Sequence, residues 1–595
     1  MGLRHPNLHD DPEKTINFVD HIDHWLEYLT ELLGTADKET LPKLKRQIRY
    51  LLAFRCGTNS NINHNRLLLY YYSNRAKKGG DDISLPGESY GAAEQPPPYK
   101  SASDTKAKIT AFMDEFKARE GITSMSIHPT KPIQESYKPT DPAFKLILKA
   151  LACEDLFFMQ GPPGTGKTTA IVEIVLQVMK AKPTARILIS SETHVAVDNA
   201  LDRLAQEALP ELLSTILRYP QFVITEFECQ STPQVEAVAR ADALWHRAHD
   251  VAPELTIQLW NTLEPSKPKE DGAQTVARWQ ARNLAEMHQV IGVTCNQIDH
   301  LIDEETDMFD LAIVDECSKA TMPEWLMAMS VAKKCILVGD HKQLPPTFCT
   351  EESEVLEQME EHKERLIRNG VIERLFENLP AGMKGTLSKQ FRMLPHIGNF
   401  ISRHFYKGEL QHHRTEADHE FQDFGWFTYK SHDYRVPMQQ GKKKKNLINE
   451  IEIEIIMKRL VEISKRLKEA KIKRKISVAL ITPYRAQCMA LRQALSKRDF
   501  SDSLAVEVDT VDAFQGRQAD IVFFSFVRNT GPATFFADDR RMNVAISRAR
   551  DAVYLVGDVD YIASKRLPVL DALVKLPTFK HRKTECRAHR CGSCR

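Results

Sequence analysis

A chain of 595 residues is long enough for several domains, since one domain typically holds about 100–200 residues. Hydrophobic residues at 42% and charged residues at 27% are ordinary for a soluble globular protein, and a net charge of +1 supplies no global pull on nucleic acid, so any such surface has to be a local patch. No apolar run approaches the ~20 residues of a membrane span, the first residues hold no signal-peptide core, and eleven scattered cysteines form no disulfide framework; membrane partners are excluded and a reducing compartment, cytoplasmic or nuclear, is expected.

Residues 1–139 read as a mainly helical region. Over about 13–55, Ile16, Val19, Ile22, Trp25, Leu26 and Leu29 follow helical spacing. A polar stretch at about 77–104, with Gly79-Gly80, Pro86-Gly87 and Pro96-Pro97-Pro98, reads as a linker, and a short helix is expected over about 106–119. From Thr140 strands alternate with helices. Candidate buried strands are Leu156–Gln160, Arg186–Ser190, Gln289–Thr294, Leu311–Asp315, Cys335–Val338, Ile476–Ile481, Asp520–Ser525 and Ala552–Val556. Continuous apolar runs of this length predict parallel sheets covered on both faces. They fall into two groups, which predicts an α/β protein of two lobes, 140–382 and 383–562, followed by a tail over 563–595. A helical insertion at about 203–286 elaborates the first lobe and carries no visible chemistry.

The segment 442–475 carries thirteen Lys/Arg against five Glu and reads first as a solvated loop and helix face, with a nucleic-acid surface or import signal as the sharper alternative. Its helix starts at an Asn449-x-x-Glu452 capping box. In the tail, Cys586-x-x-His589-x-Cys591-x-x-Cys594 has ligand-type residues at cramped spacing without a paired second half, which favours a frayed end over a zinc site.

The chemistry starts at Gly161-Pro-Pro-Gly-Thr-Gly-Lys167-Thr168, directly after the first strand and opening a helix from Thr168 to about Met179. This is a P-loop in its proper context. Gly161, Gly164, Thr165, Gly166, Lys167, Thr168 and Thr169 would cradle a triphosphate, because glycines admit a close backbone and successive N–H groups at a helix N-terminus point at anionic oxygens. Lys167 would reach the β- and γ-phosphates, and the Thr168 hydroxyl would ligate Mg²⁺. Asp315 and Glu316 close an apolar strand, where both carboxylates project into the ligand crevice of a parallel sheet. Asp315 would hold the Mg²⁺ and Glu316 would accept a proton from the attacking water. Gly339-Asp-His-Lys-Gln343-Leu-Pro-Pro346 follows another strand, with Gln343 placed to sense the γ-phosphate. Arg392, in Gln390-Phe-Arg-Met393, and Arg548, in Met542-Asn-Val-Ala-Ile-Ser-Arg-Ala-Arg550, belong to the second lobe. As cations against the transferring phosphoryl group they would require the lobes to close, coupling hydrolysis to movement.

The ordered series GPPGTGKT, VDEC, GDHKQLPP, QFRM-x-P, TPYRAQ, TVDAFQG and MNVAISRAR resembles superfamily 1 helicases, and most nearly their up-frameshift (regulator of nonsense transcripts) subgroup, over about residues 140–560. The resemblance implies two RecA-like P-loop NTPase lobes with ATP between them and movement 5′ to 3′ on RNA or DNA. It implies catalytic roles for Lys167, Glu316, Gln343, Arg392 and Arg548, a nucleotide contact at Gly516, and adenine stacking on Phe391. Nucleic-acid contacts would fall on Ser191, Thr193, His194, Thr294, Thr482, Pro483, Tyr484 and Thr510. Two positions depart from the family. Its adenine-reading glutamine should fall near Phe144, where there is none, and its Gly-Arg-Glu appears as Gly516-Arg517-Gln518.

The expected function is therefore an ATP- and Mg²⁺-dependent translocase or helicase on single-stranded RNA or DNA, working as a monomer, with protein partners conceivable through 1–139 and 203–286. The alternative is an ATP-gated clamp that binds without unwinding.

Overall fold

The computed structural model describes residues 18–33, 44, 47–48, 51, 127–153, 156–208, 210–219, 285–301, 309–348, 350–369, 372–415, 421–430, 447–470, 472, 474–533, 535–536 and 538–579. The linker at 77–104, the helix at 106–119, most of the insertion, the Lys442–Lys445 run and the Cys586–Cys594 run lie outside the described residues. The chain forms two compact units, one of residues 1–162, 166–341 and 345–388, the other of 163–165, 342–344 and 389–595.

The first unit is built on seven parallel strands: β1 Leu156–Gln160, β2 Ile187–Ser191, β3 Ile216–Arg218, β4 Val290–Thr294, β5 Phe309–Asp315, β6 Ala332–Gly339 and β7 Lys384–Thr386, in the order β3-β4-β2-β5-β6-β1-β7. Side chains alternate between faces, as the two-residue period of a strand requires. Phe157, Met159, Ile187, Ile189, Ile313 and Ile336 meet helices α2 Pro142–Ala152, α3 Lys167–Ala181 and α4 His194–Glu207. Phe158, Leu188, Val314 and Leu337 face the opposite core.

That second core takes in α1 Phe18–Leu33 and α5 Met322–Ser330. Trp25 and Tyr28 bring their rings against Phe348, and Lys363 pairs with Glu27 at 2.9 Å. The helix expected near the start of the chain is thus part of the first unit's interior.

Two strands fall where the sequence suggested otherwise. β3 lies in the stretch read as a helical insertion; its Ile216-Leu217 pair is wholly buried against β4, and three residues are too few to display a period. β7 pairs with β1 in the first sheet, so the first unit extends past residue 382 to 388.

The second unit carries a five-stranded parallel sheet of β10 Phe424–Thr428, β11 Ile476–Thr482, β12 Leu504–Thr510, β13 Ala519–Ser525 and β14 Ala549–Gly557, ordered β10-β14-β13-β11-β12. Two short strands, β8 Lys389–Gln390 and β9 Gln411–His412, pair separately. One face packs on α6 Pro395–Phe405 and α9 Asp539–Ser547, the other on α7 Glu450–Glu469 and α8 Arg485–Leu495.

At the start of α7 only half of the expected capping box forms. The Asn449 side chain accepts from Glu452 N–H at 3.1 Å, but the Glu452 carboxylate turns into the interior. Among the described residues no helix is long and apolar enough to cross a membrane, and the cysteines are free thiols.

Candidate functional site

In the first unit β1 and β6 end side by side, and Gly161 N–H donates to Gly339 O at 2.9 Å, which pins the start of the loop. The Lys167 side chain folds back over this loop. A Cβ on Gly161 would overlap the lysine's Cγ, so only glycine leaves room there. Gly166 stands at φ +84° as the residue capping α3, a left-handed conformation that glycine takes without cost. Lys167 Nζ donates to Gly161 O at 3.1 Å and lies 3.6 Å from Glu316 Oε1. Thr168 and Thr169 occupy the first turn of α3.

Asp315 is the last residue of β5, and Glu316 turns away from it at φ +50°. Holding an L-residue there costs about 1–2 kcal/mol. The turn is kept by Glu316 N–H to Asp315 Oδ1 at 2.9 Å and Cys317 N–H to Val338 O at 3.0 Å. Burial, reinforced by the Glu316 charge, pushes the Asp315 carboxyl up to about 7, against the pull of Lys167. A buried Asp315 paired with a partly buried Glu316 fits a divalent cation, which would let both stay ionised, and the Thr168 hydroxyl and Asp315 carboxylate supply the hard oxygens Mg²⁺ prefers.

After β6, Asp340 N–H donates to Ser318 Oγ at 3.2 Å, and Asp340 Oδ1 accepts from Gln160 Nε2 at 3.4 Å. Thr386 Oγ1 in turn donates to Gln160 Oε1 at 3.0 Å. Sequence reasoning missed Ser318, Gln160 and Thr386 because none has a spacing signature; each matters only through the strand end beside it.

The second unit gathers another set. Arg548 is buried, and its Nη2 donates to Gln343 Oε1 at 3.0 Å while Nε reaches Val544 O at 3.1 Å. Arg392 Nη1 donates to Ser547 O and Nε to Gln518 Oε1, both at 3.0 Å. The residue standing where the family has an acid thus holds Arg392 as a neutral acceptor, leaving the guanidinium charge uncompensated by that contact. Gly164, at φ +73°, accepts from Phe391 N–H at 2.8 Å, and Thr165 is buried beside it in sequence. The Phe391 ring is 48% exposed and 4.9 Å from that of His413. Gly516, at φ +84°, precedes Arg517, whose carbonyl accepts from Arg548 Nη1 at 3.4 Å.

The residues proposed to touch nucleic acid divide between the units. In the first, Ser191 and Thr294 end the adjacent strands β2 and β4. Both are buried; Thr294 Oγ1 donates to Gln297 Oε1 at 3.0 Å. Thr193 caps α4, accepting from Ala196 N–H, and His194 opens the helix. Arg218 Nη2 lies 2.8 Å from His194 Nδ1, with its Nε on Asp198 and Nη1 on Tyr219 O. A guanidinium only donates, so Nδ1 must accept and the ring proton must sit on Nε2. Arg218 was not legible in sequence, because it closes the three-residue β3.

In the second unit Thr482 ends β11 and is fully buried, Pro483 and Tyr484 follow half-buried, and Thr510 ends β12 with Oγ1 accepting from Ala513 N–H. Tyr484 Oη accepts from Arg528 Nε at 2.7 Å, a partner sequence reasoning also missed.

Comparison with known proteins follows the same two-part division. Models of an AAA domain match residues 141–221 with 259–351, and residues 367–560. The DNA-binding protein SMUBP-2 of Mus musculus is 30% identical over 443 residues, covering 69% of this chain and 41% of the relative. An uncharacterised ATP-dependent helicase of Methanocaldococcus jannaschii is 27% identical over 510 residues, covering 74% and 72%. A regulator of nonsense transcripts 1 homologue of Drosophila melanogaster is 27% identical over 432 residues, covering 69% and 34%. The chain spans less than half the length of the mouse and fly relatives.

Proposed function

The chain belongs to the superfamily 1 helicases, in their up-frameshift-like group, and on that premise we propose that it is an ATP-driven translocase or helicase acting on single-stranded RNA or DNA, moving 5′ to 3′. The observation that carries this reading is the convergence of a P-loop lysine and a strand-end acid pair on one sheet edge, with Lys167 Nζ 3.6 Å from Glu316 Oε1.

The Lys167 ammonium bonds the loop's own Gly161 carbonyl. A triphosphate offers stronger, charged acceptors in the same place, so the lysine exchanges a neutral partner for an anionic one. The N–H groups at the start of α3 would face the same phosphates. Thr168 and Asp315 would hold Mg²⁺, which neutralises charge on the phosphate oxygens when bound. Glu316, at φ +50° beside Lys167, would take the proton of the attacking water. Arg392 and Arg548 would supply cations to the transferring phosphoryl group, and Gln343, already hydrogen-bonded to Arg548, would report its presence.

Nucleic acid would lie against the strand ends that bear Ser191, Thr193, His194 and Thr294 in one unit and Thr482, Pro483, Tyr484 and Thr510 in the other. Steady-state ATP hydrolysis measured with and without single-stranded RNA and DNA tests the proposal. We expect stimulation by at least one polymer and its abolition in Lys167→Ala. Polymer binding without any ATP turnover would instead favour a nucleotide-gated clamp.

A further inference from the structure

Arg392 stands between elements. β8 ends at Gln390 and α6 begins at Pro395, so residues 391–394 have neither a strand ladder nor a helix to hold their backbone. We propose that Arg414, a residue with no motif of its own, is the positioning residue of this turn: its guanidinium fixes Arg392 in register with the strand that Arg548 leads into. The inference rests on the reading of Arg392 as a cation for the transferring phosphoryl group and deepens it.

Backbone polar groups outside regular structure need other partners, and here side chains supply them. The fully buried Gln390 accepts on Oε1 from the N–H groups of Arg392 at 2.9 Å and Met393 at 2.7 Å, and its Nε2 donates to Met393 O at 2.7 Å. On the other side of residue 392, the carbonyl accepts from Arg414 Nη1 at 2.6 Å. The same Nη1 donates to Arg550 O at 3.0 Å, which also accepts from Leu394 N–H at 2.9 Å. Arg414 Nη2 donates to the buried Asp551 carboxylate at 2.6 Å. One guanidinium thus ties residue 392 to residues 550 and 551 of β14.

The placement of Arg414 follows from the small sheet. Parallel pairing sets Lys389 opposite Gln411 and Gln390 opposite His412, with Gln390 Nε2 2.9 Å from His412 Nδ1. Two residues beyond the last pair stand Arg392 and Arg414, side by side. Only arginine suits the second position, because its planar fork can serve two carbonyls and a carboxylate at once, whereas an ammonium is a single point. The Arg414 side chain is 13% exposed and that of Asp551 5%, so water and salt screen this anchor little. Such rigidity matters for a group acting on a reacting centre, where a shift of about 1 Å can cost on the order of 10²-fold in rate.

The test is a double-mutant cycle on the full chain, reading kcat and KM for ATP beside the equilibrium affinity of a fluorescent ADP analogue and the thermal midpoint. Arg414→Lys keeps the charge opposite Asp551 but cannot reach both carbonyls. It should lower kcat about 10-fold and leave KM and analogue affinity within about twofold. In an Arg392→Ala background the same substitution should change kcat by less than about twofold, because the group it positions is gone. Arg414→Gln, which drops the charge and keeps an amide donor, should show the same dependence on Arg392. Equal losses in both backgrounds overturn the inference, as does an unchanged kcat in folded Arg414→Lys. If neither variant folds, Arg414 is a strut of the second unit and the inference fails. An Arg392→Ala protein that hydrolyses ATP at the wild-type rate refutes instead the reading of Arg392 itself, and this inference with it.

Discussion

Glu316 is one of the described non-glycine residues held at positive φ, and it carries the carboxylate nearest Lys167. Strain of this kind persists where the surroundings over-determine the backbone, here through the Asp315 side chain and the β6 carbonyl that anchors Cys317. Glu316→Gln preserves the shape of the side chain and removes only its basicity. We expect nucleotide affinity close to wild type and kcat lower by about two orders of magnitude or more, measured by steady-state kinetics beside equilibrium binding. Parallel loss of affinity and turnover would make Glu316 a strut for the loop. At this scale the glycines and lysine of the loop before α3 were readable, because a P-loop pattern sets them at fixed spacing. The partners of other candidates were not. Arg218, Arg528 and Gln518 hydrogen-bond His194, Tyr484 and Arg392, partners 24, 44 and 126 positions away in the chain, and no local pattern encodes such pairs.

Among the elements, the α7 N-terminus shows how one side chain can join several. The buried Glu452 carboxylate accepts from Ser525 Oγ, at the end of β13, at 2.6 Å, from Val527 N–H just beyond it at 2.9 Å, and from Tyr429 Oη, after β10, at 3.0 Å. Gln487 of α8 reaches the same cluster through Asn449 and Ser525. Burial outweighs these donors and pushes the Glu452 carboxyl up to about 8, above its ordinary 4.5. The folded state therefore binds a proton that the unfolded state does not. Its stabilisation is complete below about pH 4.5 and is lost as pH rises through about 8. Between pH 6 and 9 wild type should lose about 2–3 kcal/mol relative to Glu452→Gln, read from urea unfolding of both proteins. Equal pH slopes would contradict this.

Strands were legible according to their place in the sheet. The five inner strands of the first sheet and the three inner strands of the second all announced themselves as continuous apolar runs. The outer strands β3, β7, β10 and β12 did not. Inner strands are covered on both faces and paired on both sides. β12, with residues such as Glu507 and Asp509, is exposed along part of its length and reads as loop.

Over the whole molecule, each unit distributes its candidate chemistry along its own sheet. In the first, the strand ends of β1, β5 and β6 bear the phosphate and acid residues, and the neighbouring ends of β2 and β4 bear the nucleic-acid candidates. In the second, Arg548 and Gln518 directly precede β14 and β13, whereas Thr482 and Thr510 terminate β11 and β12, so the arginine group and the nucleic-acid candidates lie at opposite ends of these parallel strands. With a net charge of +1, the proposed binding of a single strand would have to rest on such local contacts. The logarithm of the binding constant should fall linearly with the logarithm of salt, by about 0.7 per phosphate neutralised. A flat response in a fluorescence titration would rule out a backbone-tracking surface.

Order and spacing along the chain were enough to reveal the glycine-rich loop between β1 and α3, the acid pair that ends β5 and two parallel α/β sheets, because those features are local: a glycine turn, a strand, a helix start. Folding alone disclosed that the helix at 18–33 completes the first core, that Gln518 holds Arg392, and that Arg414 bonds the carbonyls of Arg392 and Arg550. Each of these joins segments distant in sequence, and such contacts exist only once packing has brought the segments together.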